Sequence, residues 1–137
     1  MTKHDTKWAA VALTALVGMG AWAGAKVAYN VSLSFGSNGT GGASAALGSV
    51  RNNASSVEQM GCDVHTYGPS IGGGQLAYCT ATDSSGTFVS CLSRDPAFVN
   101  AVRGIKGDSG LEFHWTASGD CMFIRVSDSS IHPPKDP

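Results

Sequence analysis

The chain has 137 residues, 42% of them apolar, a formal charge of −1, and only 14% Asp, Glu, Lys and Arg. That length allows one domain with a real core, with or without a targeting segment. The composition lacks both the basic footprint of a nucleic-acid binder and the charge density of an acidic disordered tail. Eighteen glycines point to turns and short strands rather than to a helical bundle.

Residues 1–25 read as a secretory signal. Lys3 and Lys7 make a basic start, residues 8–23 carry no charge, and Ala23, Gly24 and Ala25 form a small-x-small cleavage pattern. The rival is a retained anchor. The uncharged run, residues 8–25, sits at the lower length limit for a membrane span. Gly18, Gly20, Gly24 and Thr14 dilute it, and no basic stop-transfer cluster follows. Cleavage is therefore expected, leaving 112 residues. Lys3, Lys7 and Asp5 leave together, which moves the formal charge to −2. The expected location is secreted or periplasmic, with no membrane attachment after cleavage.

Residues 26–33 alternate well enough for an N-terminal strand, with Val27, Tyr29 and Val31 on one face. Residues 34–56 are rich in Gly, Ser, Asn and Ala, with Leu47 and Val50 as the larger apolar residues. They read either as a long loop or as containing a strand of small side chains over 46–51. A regular domain follows over 57–132. In residues 58–67, Met60, Cys62, Val64 and Thr66 alternate with Asp63, His65 and Tyr67. A turn-rich GPSIGGG loop occupies 68–74, and residues 75–82 alternate Ala77, Cys79 and Ala81 against Leu76, Tyr78 and Thr80. Residues 83–87 predict a hairpin whose three-residue loop places Gly86 in the left-handed region. A strand over 87–93 completes it.

Asp95 and Pro96 open a helix: Asp95 accepts from free first-turn amides, and Pro96 sits where no amide is needed. Its expected apolar stripe is Phe98, Ala101, Val102 and Ile105, with stops at Gly104 or Gly107. Strands over 111–116 and 121–127 flank a turn at Ser118 and Gly119. The tail, 133–137, is expected to be extended.

All four cysteines lie beyond residue 25, at intervals of 17, 12 and 30 residues, with no Cys-x-x-Cys knuckle. In a small exported chain that pattern predicts two disulfides rather than zinc. The Gly86 hairpin sets Cys79 opposite Cys91, and a symmetrical 68–74 loop sets Cys62 beside Cys79. A Cys62–Cys91 bond would have to cross the middle strand, about 9–10 Å, beyond disulfide reach. Two pairings remain: Cys62–Cys79 with Cys91–Cys121, which is favoured, and Cys79–Cys91 with Cys62–Cys121.

The last hairpin has two candidate registers. A four-residue loop, 117–120, gathers Leu111, Phe113, Trp115, Val126, Ile124 and Met122 on one face and sets Glu112 opposite Arg125. A three-residue loop with Gly119 left-handed moves one strand's side chains to the other face. Burial favours the first, with Cys121 and Phe123 then pointing away. The expected fold is mainly antiparallel β, a sandwich or barrel-like meander, with one helix packed on it and two disulfides.

Gly107, Asp108, Ser109 and Gly110 match the GDSG heart of trypsin-like proteases, but Leu111 and Glu112 follow and the chain is about half the length such enzymes need. Turn chemistry is the simpler account. His65, His114 and His132 lack metal-ligand spacing, so neither a metal nor a cofactor is expected. Asp63, His65 and Tyr67, at the mouth of the glycine-rich loop, form the candidate ligand face. Trp115 and Phe113 are assigned to the core.

The plan of a Gly-Cys strand (Gly61, Cys62), two spaced cysteines, an Asp-Pro helix and a last Cys-bearing strand resembles small exported bacterial proteins, a resemblance that implies no activity. The primary expectation is a non-enzymatic exported binding or surface protein. Its partner would be an envelope or extracellular protein or glycan, or a second copy through edge strands such as 26–33. The alternatives are a small secreted hydrolase using His65 or His114 with Asp63 or Glu112, and an inhibitor presenting Ile71 on the 68–74 loop.

Overall fold

The computed structural model describes residues 26–134 and Asp136, so the expected signal at 1–25 lies outside the described residues. In chain order the elements are β1 (Ser32–Phe35), β2 (Gly41–Ala46), α1 (Leu47–Asn52), β3 (Gln59–Tyr67), a 3-10 turn (Pro69–Ile71), β4 (Gly74–Thr82), β5 (Phe88–Ser93), α2 (Pro96–Arg103), β6 (Gly110–Trp115) and β7 (Cys121–Ser127). They form two antiparallel sheets, β1-β2-β6-β7 and β3-β4-β5, as expected of a mainly β fold with one main helix. One continuous core runs between them, joining Ala43 and Phe113 of the first sheet to Ala77, Cys79 and Val89 of the second and to Val99 and Val102 of α2.

The meander β3-β4-β5 has the register the turns dictate. Asp83 N–H donates to the Thr87 carbonyl and Gly86 stands at φ 83°, so Cys79 pairs with Cys91 and Cys62 with Cys79. The disulfides are Cys62–Cys79 and Cys91–Cys121, with Cα separations of 4.0 and 5.0 Å. The first lies within one sheet. The second joins β5 to β7 and so ties the two sheets together. Beside it, Leu92 N–H donates to the Gly119 carbonyl at 3.0 Å.

The last hairpin combines both candidate registers. Its turn is the three-residue one: Gly119 has φ 85°, and Thr116 N–H donates to the Asp120 carbonyl. Trp115 then pairs with Cys121. A bulge between His114 and Trp115 absorbs one residue, and from His114 back to Gly110 the register is the one burial favoured, with Glu112 opposite Arg125. This corrects two expectations. Met122, the extra residue, is 60% exposed, and Cys121 is buried and faces the core. The bulge flips one side chain inward and so aims Cys121 at Cys91.

The N-terminal third departs most from the sequence reading. The strand predicted over 26–33 begins only at Ser32, and of the three residues on its expected apolar face Val31 alone is buried while Val27 and Tyr29 are exposed. The preceding backbone is engaged elsewhere: Val27 N–H donates to the Ile131 carbonyl at 3.0 Å, and the Tyr29 carbonyl accepts from Ala46 N–H at 2.8 Å. Residues 46–51 are not a strand, since α1 starts at Leu47; the strand of small residues is β2, at 41–46. Asn52 Nδ2 donates to the Pro134 carbonyl at 2.8 Å, so the C-terminal tail runs across α1.

Strand β2 sits between β1 and β6, and its small side chains are required by what lies over them. A Cβ on Gly41 would fall 2.2 Å from Trp115 Cζ2 and 2.5 Å from the Ser34 carbonyl oxygen. Gly41→Ala is therefore expected to destabilise the fold by about 1–3 kcal/mol through overpacking, read as a lower urea midpoint. A midpoint equal to the parent's would mean that Trp115 does not cover this strand.

Helix α2 starts where Asp95 and Pro96 dictate. Asp95 Oδ1 accepts from Ala97 N–H at 2.8 Å, and the helix ends at Gly104. Its most buried line is Val99 and Val102, with Phe98, Ala101 and Ile105 half-buried beside it. Val99 was the residue absent from the expected stripe.

Candidate functional site

Alternation along β3, β4 and β5 sends Met60, Cys62, Val64, Ala77, Cys79, Ala81, Val89 and Cys91 into the core and turns the residues between them to the opposite face, where Leu76 and Thr82 are nevertheless buried. The outward face of this sheet carries Asp63, His65 and Tyr67 on β3, Tyr78 and Thr80 on β4, and Phe88, Ser90 and Leu92 on β5. The three residues predicted from sequence therefore share one face. Asp63 and His65 are exposed and Tyr67 is half-buried. The His65 ring stands edge-on to Tyr78, with centroids 6.1 Å apart. Phe88 and Leu92, 56% and 41% exposed, complete the surface. Sequence reasoning missed these two, although the Gly86 register that fixed Cys91 inward also fixes Phe88 and Leu92 outward.

Chemically the face is a platform. Aromatic rings and short apolar groups alternate with a carboxylate, an imidazole and the hydroxyls of Thr80 and Ser90. A nine-residue strand spans about 30 Å and three strands about 10 Å in width. Beside it, the 68–74 loop is folded into the 3-10 turn with Gly72, Gly73 and Gly74 all at positive φ, and Ile71 at its tip is 69% exposed.

His114 and Glu112 occupy the outer face of the other sheet. His114 Nε2 donates to Glu112 Oε1 at 2.9 Å, and Arg125 lies 4.0 Å from the second carboxylate oxygen. A cleft of about 380 Å³ opens beside Glu112, walled by Val27, Tyr29, Arg125, Ile131 and His132. His65 and His114 thus lie on different sheets and form no common site. Among the described residues no group of three or more His, Cys, Asp or Glu is placed to hold a metal ion.

The GDSG tetrapeptide is a structural knot, not a nucleophile loop. Ser109 is fully buried; its Oγ donates to Asp128 Oδ1 at 2.7 Å and accepts from Lys106 N–H at 2.9 Å. Lys106 Nζ reaches the other oxygen of Asp128 at 2.5 Å. The hydrogen bond from Lys106, followed by that from Ser109, holds the Asp128 carboxyl below the usual carboxylate range, and the same Asp128 contact raises Lys106. Because the folded Asp128 value is depressed, its contribution to stability is complete above the ordinary carboxylate pKa and disappears as pH falls through the folded value. The difference in urea midpoint between the parent and Asp128→Asn should accordingly be largest near neutral pH and shrink toward pH 2. A difference that stays constant down to that pH would exclude the linkage.

No protein-family model matches this chain, and it matches no curated protein and no solved structure. Two disulfides are present, and among the described residues no helix is long and apolar enough to cross a membrane.

Proposed function

We propose that this is a small exported, non-enzymatic binding module that holds a linear glycan along the outward face of β3-β4-β5. One observation carries the reading: Tyr67, Tyr78 and Phe88 lie on one face interleaved with Asp63, His65, Thr80 and Ser90, while the helices cover the other side of the sheet. Sugar rings present apolar C–H faces and hydroxyl edges together, so rings for stacking beside short polar groups match both. Proteins prefer a more continuous apolar anchor surrounded by a polar rim. The covalent staples supply a scaffold whose platform is ordered before binding, which lowers the entropic cost of association.

The test is a glycan array probed with the protein and with Tyr67→Ala and Tyr78→Ala. Binding by the parent is expected, with at least about tenfold weakening in each variant at unchanged melting temperature, a change worth about 1.4 kcal/mol. No bound glycan, or binding insensitive to both substitutions, overturns the reading.

One observation favours a second reading, a hydrolase centred on His114, because Glu112 orients that imidazole as a carboxylate orients a catalytic base. Among the described residues, however, no Ser, Thr or Cys side chain is hydrogen-bonded to His114. A hydrolytic activity abolished by both His114→Ala and Glu112→Gln would establish this reading in place of the first.

A further inference from the structure

Strand β3 is nine residues long and forms one edge of its sheet, with β4 on one side and no strand on the other. Cys62 and Cys79 face each other with Cα atoms 4.0 Å apart, the close spacing of a pair that exchanges no backbone hydrogen bonds. The N–H and C=O of Cys62 therefore point away from β4, and by the two-residue repeat those of Met60, Val64 and Thr66 do the same. Among the described residues, no backbone group outside the sheet takes them up. The usual protections of an edge are missing. β3 holds no proline and no lysine, and its pairing with β4 runs from Gln59 to Tyr67 without a bulge. On its outward face, Asp63 and His65 form no ion pair among the described residues. A Cβ built on Gly61, the next outward position, would meet nothing within 4 Å.

From this geometry we infer that a second copy of the chain takes the edge, β3 against β3 in antiparallel, about a two-fold axis at Val64. The two three-stranded sheets then join into one of six strands. This inference goes beyond the glycan reading and does not depend on it. The free backbone groups belong to alternate residues in both copies, so the open registers differ from one another by slips of two residues. With the axis at Val64, Asp63 faces the partner's His65 and His65 faces the partner's Asp63. Both are close pairs of the non-hydrogen-bonded type, where opposite charges stabilise a sheet and like charges destabilise it. An imidazole N–H also donates to a carboxylate whether or not the ring is charged. One slip either way sets Asp63 against the partner's Asp63, or His65 against the partner's His65, so charge selects the register between them. In that register Tyr67 stands opposite the partner's Gly61, whose open surface the ring covers. Val57 and Ile71, 47% and 69% exposed, flank opposite ends of β3, and antiparallel pairing brings the end carrying one to the end carrying the other.

The decisive measurement is sedimentation velocity of the disulfide-bonded protein over a wide range of concentrations, where a monomer–dimer equilibrium is expected. Thr66→Pro removes an amide that faces the free edge and none that bonds to β4, at an exposed position where an edge strand tolerates proline. It should weaken the dimer at least about tenfold with the monomer's circular dichroism unchanged. His65→Glu sets two carboxylate pairs against each other across the joint and should weaken the dimer by a similar factor. Adding Asp63→Lys to that variant restores opposite charges at both positions and should recover most of the loss. If Thr66→Pro lowers the melting temperature, the charge reversal decides alone. A protein that stays monomeric at every concentration overturns the inference. So does a dimer whose affinity ignores all three substitutions, or one that His65→Glu weakens and the reversed pair fails to rescue. The glycan array reports on the face of each single sheet, so these outcomes leave its result to stand or fall separately.

Discussion

Phe113→Ala is expected to lower the unfolding free energy by about 3–5 kcal/mol, the range for losing a buried phenyl ring into a site that cannot collapse. Phe113 is fully buried on β6, paired with Ala43 on one side and Ile124 on the other, its ring centroid 6.2 Å from that of Trp115. The loss should fall at the upper end because of its neighbours. Strand β2 offers only Gly41, Gly42, Ala43, Ser44, Ala45 and Ala46, none with a side chain long enough to swing into the void. A domain of this size has about 5–15 kcal/mol of total stability, so the substitution removes a large share of it. Equilibrium urea unfolding measures this directly. A loss under about 1 kcal/mol would show that the ring is not packed as described.

Removal of the Cys91–Cys121 bridge by the double substitution to alanine is the second large effect. Loop-closure entropy for a separation of 30 residues gives about 3.6 kcal/mol, against about 3.1 kcal/mol for the 17 residues of Cys62–Cys79. Entropy alone therefore separates the two by only about half a kcal/mol. Position widens the difference. Cys91 and Cys121 are buried where the two sheets meet, whereas Cys62 is half-buried on the edge strand β3. The Cys91/Cys121 variant should be the less stable of the two double mutants and should expose apolar surface to a dye at lower denaturant. The reverse order of stabilities would mean that the sheets are held together chiefly by something other than this bridge.

Much of the second sheet was legible because its turns are chemically explicit. Asp83, Ser85 and Gly86 specify a loop type, the loop specifies a register, and the register places three cysteines and the outward tyrosines without any tertiary information. The same holds for α2, announced by Asp95 and Pro96. The first sheet was harder to read for a physical reason. Strand β2 carries almost no side-chain signal, because its residues are small to admit Trp115 and His114 from the neighbouring strand, and that demand is visible only once β6 is in place. The bulge after His114 was hidden in the same way: both registers satisfied part of the pattern, and the fold uses each over part of the hairpin. Of the candidate face, Asp63, His65 and Tyr67 were found by alternation, while Phe88 and Leu92 follow from the same Gly86 register that set Cys91 inward.

Cys79 stands between Cys62 and Cys91 in the ladder, so the native register offers it two thiols. The nearer along the chain is Cys91, 12 residues away against 17 for Cys62. Loop closure favours the shorter ring by only about 0.3 kcal/mol, so a chain oxidised before β7 docks should form both rings, and the Cys79–Cys91 fraction leaves Cys62 and Cys121 to each other. Escape from that product requires thiol–disulfide exchange at sulfurs which the growing core is already shielding. Refolding under air should therefore yield a mixture of the two isomers, and a glutathione buffer or an added isomerase should convert the Cys79–Cys91 fraction to the native pairing.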